Sequence, residues 1–113
     1  MTDDLWSEIE GRMRLLDTAL REYASRGRLA AEAERAYREA LAKEELTLKA
    51  EGHPATLIRD LARGSKEVAR LAFERDCAEA LYESAGEAIN IFKLTIRVLE
   101  GELAREWGTN GKD

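Results

Sequence analysis

The chain has 113 residues, of which 36% are charged and 6% aromatic, and it contains one proline. This length fits a single domain, and the abundance of Ala, Leu, Glu and Arg favours long helices over a mixed fold. The formal net charge of −5 is modest and both signs are interspersed, so the chain lacks the domain-wide basic surface typical of proteins that bind duplex DNA.

The first predicted element is a helix from about residue 3 to residue 51. Apolar residues recur there in steps of four and three, and oppositely charged residues four apart support the outer face. Gly27 is a weak point at which a bend is expected rather than a break. The predicted buried stripe comprises Ile9, Met13, Leu16, Leu20, Tyr23, Gly27, Ala30, Tyr37 and Leu41.

A turn and a short helix are predicted over residues 52 to 64. Gly52 can adopt the left-handed conformation that ends a helix, and Pro54 cannot continue the hydrogen-bond ladder. The following residues are amphipathic, and Leu57, Ile58 and Leu61 are expected to cover the end of the hairpin core.

The last predicted helix runs from about residue 65 to residue 107, with Ser65 as its N-cap and a frayed tail over residues 108 to 113. Its apolar residues follow a near-perfect heptad pattern. The predicted stripe comprises Ala78, Leu81 or Tyr82, Ala85, Ile89, Phe92, Ile96, Leu99, Leu103 and Trp107.

These elements predict an all-α fold, in which the two long helices form an antiparallel, coiled-coil-like hairpin with a short connecting helix. Trp6 and Trp107 are about equally far from the turn, so an aromatic clasp is expected at the open end of the hairpin. The sole cysteine, Cys77, is expected to be a buried apolar side chain, and the absence of an apolar span or targeting segment favours the cytoplasm.

A second apolar stripe on the C-terminal helix, formed by Ile91, Leu94 and Val98, points away from the heptad stripe. One partner helix cannot cover both stripes, so we expect copies of the chain to assemble into a helical bundle. Asn90 is either a buried polar residue that fixes the register of that bundle or a solvent-exposed one. The predicted oligomer interface comprises Ile89, Ile91, Phe92, Leu94, Ile96, Val98 and Leu99.

No catalytic, metal or cofactor signature is evident, and the chain is therefore predicted not to be an enzyme. The only histidine, His53, lies in the turn and is expected to be solvated. Carboxylates at helical spacing, such as Asp76 with Glu79, could in principle hold magnesium, but in so acidic a chain they are more typical of a solvated helix face.

A candidate anion-binding edge follows the turn, where Arg59, Arg63, Lys66 and Arg70 recur at steps of three or four near the helix start at Ser65. The alternative is that Arg70 pairs with Glu74 and that the other three cations are solvated.

Residues 51–64 (EGHPATLIRDLARG), 78–82 (AEALY) and 105–107 (REW) resemble small helical proteins encoded by bacteriophages and prophages. The likeness spans about two thirds of the chain. It implies a viral origin in the neighbourhood of recombination and host-takeover genes, and it transfers no active residue.

Three functions follow as hypotheses. The first is a non-enzymatic phage-type protein that binds a host protein or a small, anionic signalling molecule stoichiometrically, as in the inhibition of an antiviral defence. The second is an accessory to DNA recombination or replication that binds single strands. The third is a structural coiled-coil assembly protein. The arginines considered for single-stranded DNA are Arg12, Arg14, Arg21, Arg26 and Arg28.

Overall fold

The computed structural model of the chain describes residues 2–110, and that part contains three helices and no strand. They are α1 (Thr2–Ala50), α2 (Ala55–Arg63) and α3 (Lys66–Asn110). The predicted all-α helical hairpin is therefore confirmed. Two compact units share the long helices: one combines the chain up to Ala24 with the chain from Glu83, and the other is Ser25–Tyr82.

The turn after α1 is a glycine-terminated helix end, as the sequence predicts. Gly52 has a φ of 88°, which is the left-handed conformation. The Gly52 N–H donates to the Lys49 carbonyl over 3.1 Å and the His53 N–H donates to the Leu48 carbonyl over 3.2 Å. These two bonds form a Schellman motif, which satisfies carbonyls that the end of a helix otherwise leaves unpaired.

The residue that α2 buries is a small alanine rather than its large leucines. Ala62 is completely buried, whereas Leu57 and Leu61 are 50% and 43% exposed, so the expectation that these two leucines cover the core is wrong. A side chain as small as alanine permits close approach of the α2 backbone, and the leucines then project outward. Ile58 is half-buried.

Helix α3 begins as predicted and ends later than predicted. The Val68 N–H donates to the Ser65 Oγ over 3.4 Å, which identifies Ser65 as the N-cap. Residues 108–110 are helical although a frayed tail was expected there, because no proline interrupts the ladder of backbone hydrogen bonds. The rest of that predicted tail, residues 111–113, lies outside the described residues.

In the unit that holds both ends of the chain, the core follows the α3 heptad. Ile89, Ile96 and Leu99 are buried there. From α1, only Ile9 is buried to the same degree, while Met13 and Leu20 are 54% and 46% exposed, which corrects their predicted place in the stripe. The contact between two helices covers a narrower strip of surface than the apolar face of α1. Residues 12 and 19, which precede Met13 and Leu20, are half-buried and lie on that strip.

Each unit contains one close contact between a tyrosine ring and a glycine of the opposite long helix. In the Ser25–Tyr82 unit, a Cβ placed on Gly27 would lie 2.9 Å from Cε1 of Tyr82. In the other unit, a Cβ on Gly86 would lie 3.2 Å from Cε2 of Tyr23. The two tyrosines and the two glycines belong to the same five-residue pattern, Tyr-x-Ser-x-Gly, which occurs once in each long helix. These contacts select Tyr82 rather than Leu81 as the heptad residue.

Polar contacts also join α1 and α3 within the Ser25–Tyr82 unit. The guanidinium of Arg75 lies 4.2 Å from the centre of the Tyr37 ring, and its Nε is 3.7 Å from Oε2 of Glu34. Arg75 also donates to Asp76, and that hydrogen bond raises the pKa of the Arg75 guanidinium above its ordinary value. A cation held over an aromatic face in this way stabilises the helix pair by about 0.5–1 kcal/mol.

Candidate functional surfaces

The rear face of α3, which we define as Ile91, Leu94 and Val98, is exposed. The exposed fractions of these residues are 62%, 60% and 53%. All three belong to the unit that combines the two ends of the chain, whose buried α3 residues lie on the opposite side of the helix. The rear face is therefore an apolar surface that the chain itself leaves in water.

Other residues of the predicted oligomer interface are covered within the chain. Ile89, Ile96 and Leu99 are buried, and Phe92 is half-buried. Since these four residues already contribute to the core of their own unit, the predicted interface rests on the three residues of the rear face. Asn90 is exposed in the single chain.

Trp6 and Trp107 meet at one cavity, as the predicted clasp requires, but they do not bury each other. They line a surface cavity of about 380 Å³ together with Thr2, Asp3 and Leu103, and we call it the indole cavity. The exposed fractions of Trp6 and Trp107 are 54% and 65%. The pair thus forms an open aromatic site rather than a closed clasp.

A larger groove lies between the end of α1 and α2, and sequence reasoning did not identify it. Its volume is about 740 Å³, and the Arg59 Nε donates to Oε1 of Glu45 over 3.2 Å at this surface. His53 is at hydrogen-bond distance from Glu51, 3.3 Å, and is exposed as predicted. The residues that line the groove are Ala42, Glu45, Leu46, Lys49, His53, Ala55, Ile58 and Arg59.

The candidate anion-binding edge is partly engaged by carboxylates. Arg70 donates to Glu67 over 2.6 Å and to Glu74 over 2.6 Å. The contact with Glu74 is the ion pair that the sequence predicted as the alternative to an anion site. The hydrogen bond from Arg70 lowers the pKa of the Glu67 carboxyl. Arg59 is bound to Glu45, which leaves Arg63 and Lys66 as the cations of the edge without an ion pair among residues 2–110.

Most of the arginines considered for single-stranded DNA have acidic partners on their own helix. Arg12 lies 3.8 Å from Glu8, Arg28 lies 3.2 Å from Glu32, and Arg21 pairs with Asp17. Arg14 is exposed and Arg26 is half-buried. Carboxylates beside these cations reduce the attraction of the surface for a phosphate backbone.

Cys77 is exposed, so the expectation of a buried thiol is wrong. It lies in a shallow apolar depression of about 240 Å³ within the Ser25–Tyr82 unit. Phe73 in the same depression is 69% exposed, and Leu29 and Leu81 are about half exposed. The apolar neighbours of Cys77 in the sequence suggested burial, but this side of α3 has no covering element in its unit.

Over the described part of the chain, no group of three or more His, Cys, Asp or Glu side chains is arranged to hold a metal ion. Likewise, no helix within residues 2–110 has the length and apolarity to cross a bilayer. Comparisons of the chain with protein families, with curated proteins and with solved structures found no match.

Proposed function

We propose that this chain is a non-enzymatic binding protein that works as a homo-oligomer joined through the rear face of α3. The observation that carries the proposal is the exposure of Ile91, Leu94 and Val98, which are 53–62% accessible in the single chain. Covering the exposed part of each side chain is worth about 1–2 kcal/mol, or roughly 3–6 kcal/mol for each copy.

A second copy is the occupant that fits the rear face best. Its apolar residues are spaced three and four apart, so a twofold axis near Leu94 places Ile91 of one copy opposite Val98 of the other in an antiparallel pair.

Measuring the mass in solution tests self-association directly. We expect the wild-type chain at micromolar concentration to sediment as a multiple of 12.7 kDa, and Leu94→Glu to sediment as a single chain with unchanged helical circular dichroism. Leu94 lies outside the core, so its replacement leaves the fold intact. A fully helical wild-type chain that sediments at 12.7 kDa would contradict the proposal.

Lys93→Gln is the matched control for this variant. It makes the net charge one unit more negative, as Leu94→Glu does, but leaves the three rear-face residues in place. We expect this variant to remain assembled. Equal dissociation by both variants would assign the effect to charge and would count against an apolar interface.

Binding to a partner is the second half of the proposal, and it extends to a phage-type role in which the assembly captures a host protein or a small signalling molecule. The resemblance in sequence and the several open surfaces support it. The test is co-purification from infected cells of the wild-type chain and of Leu94→Glu, analysed for proteins, metabolites and nucleic acid. A stoichiometric partner that the wild-type chain retains and the variant loses supports this role, and recovery of single-stranded DNA alone would favour the recombination accessory.

A further inference from the structure

We propose that the indole cavity, formed by Thr2, Asp3, Trp6, Leu103 and Trp107, binds an alkylammonium cation. This binding site is independent of self-association, because all five lining residues belong to one chain and to one unit.

The lining has the chemistry of a site for an organic cation. Two indole rings and the apolar side chain of Leu103 line the cavity, and among its lining residues within 2–110 Asp3 is the one that carries a charge. Alkylated ammonium groups combine positive charge with an apolar surface, and tryptophan is the aromatic residue that attracts them most strongly. The volume of about 380 Å³ lies within the range of small-ligand sites and accommodates a trimethylammonium group.

Asp3 is available to such a ligand. It is exposed, and within residues 2–110 it has no ion pair or side-chain hydrogen bond. Such a carboxylate at the edge of an aromatic cavity retains its attraction for an incoming cation, because no guanidinium or ammonium group among residues 2–110 forms an ion pair with it.

The surrounding charge favours a cation over an anion. Residues 2–11 contain four carboxylates and no basic side chain, and residues 98–108 contain three carboxylates and one arginine. Helix α3 also has no basic residue in its last turn, so the negative end of its dipole is not neutralised by its own side chains. The N-terminus of α1 is the positive end of a helix dipole, equivalent to roughly half a unit of charge. The two negative charges of Asp3 and Asp4 in its first turn exceed this positive charge.

Intrinsic fluorescence provides a selective assay, because Trp6 and Trp107 are the only tryptophans in the chain. We expect choline chloride, titrated at constant ionic strength against sodium chloride, to change the emission saturably with a dissociation constant on the order of a millimolar. The neutral isostere 3,3-dimethylbutanol should bind at least about fivefold more weakly. Equal responses to choline and its isostere, or no saturation below about 50 mM choline, would overturn the proposal.

Two carboxamide variants separate the site from the general acidity of this region. Asp3→Asn should weaken choline binding by about threefold to tenfold, whereas Asp4→Asn, which makes the same change of charge one residue outside the lining, should change it by less than about twofold. Equal effects of the two variants would overturn the assignment. Leu94→Glu should keep choline binding whether or not it dissociates the oligomer, so the two proposals fail independently.

A peptide that carries trimethyllysine distinguishes the two sources of such a cation. Binding of the peptide at least about tenfold tighter than choline supports a modified protein segment as the ligand, and comparable binding supports a free metabolite. Both results support the site, since each is compared with saturable choline binding, whose absence overturns the proposal.

Discussion

Gly27→Ala should destabilise the chain, although the same change at most helical positions is stabilising. Alanine is favoured over glycine by about 1 kcal/mol in a helix interior. At Gly27, however, the added Cβ would lie 2.9 Å from Cε1 and 3.2 Å from Cζ of Tyr82. Carbon atoms prefer separations of about 3.5–4.0 Å, so the ring must move by roughly half an ångström or more.

The net effect follows from these two opposing contributions. Crowding of this kind in a packed contact typically costs about 1–3 kcal/mol. Subtracting the helix preference leaves a net loss of about 1 kcal/mol in the free energy of unfolding, which is a fall of roughly 4 °C in Tm for a domain of this size. The assay is urea and thermal unfolding followed by circular dichroism at one fixed protein concentration, because self-association would make stability concentration-dependent.

Two further variants make the reasoning refutable. Gly101→Ala, whose nearest neighbour would be a flexible Arg105 atom at 3.7 Å, should stabilise by about 0.5–1 kcal/mol. In a Tyr82→Leu background the crowding is removed, so Gly27→Ala should become stabilising, with a coupling energy of about 1–2 kcal/mol. If Gly27→Ala stabilises as much as Gly101→Ala, or if the double-mutant cycle shows no coupling, the tyrosine contact does not explain this glycine.

Three further outcomes are expected. Gly86→Ala should be close to neutral in the same unfolding assay, because its Cβ would lie 3.2 Å from the edge of the Tyr23 ring and a small shift offsets the helix preference. Gly52→Ala should cost about 1–2 kcal/mol, since a φ of 88° is unfavourable for alanine, and an unchanged urea midpoint would contradict this. The ion pair of Glu67 with Arg70 should stabilise the fold above the unfolded-state pKa of Glu67, and this stabilisation should be lost as pH falls through the lowered pKa of the folded state. In Arg70→Gln, a carboxyl NMR titration should show the pKa of Glu67 returning toward its ordinary value.

The helices, the end of α1 and the start of α3 were predictable because they depend on local chemistry. Gly52 ends α1 through its backbone conformation, and Ser65 begins α3 through its hydroxyl, and both effects are encoded in a few consecutive residues. The heptad also located Ile89, Ile96 and Leu99 correctly, because a strong apolar period along one helix leaves only one face to bury.

The choice between adjacent apolar residues depended on the opposite helix and could not be read from one segment. Tyr82 packs inward rather than Leu81 because Gly27 leaves room for its ring. Similarly, Met13 and Leu20 lie outside the contact strip, and Ala62 rather than Leu57 or Leu61 is buried on α2. At Gly27 and at Ala62 a small residue lies in the contact, whereas the prediction followed hydrophobicity.

Of the candidate sites, the sequence predicted the rear face of α3 and the convergence of Trp6 with Trp107, since both follow from helical periodicity and antiparallel pairing. It did not predict that the tryptophans form an open cavity, because exposure depends on what covers a side chain. The groove between α1 and α2 was also missed, as its shape is set by the turn geometry and by the burial of Ala62.

The exposed thiol of Cys77 has a practical consequence. As the chain has one cysteine and it is accessible, a maleimide or nitroxide reagent attaches one probe per copy without any engineered substitution. In an assembly, the spins on neighbouring copies would then report inter-subunit distances by pulsed electron resonance, and the depth of that signal would count how many copies are present.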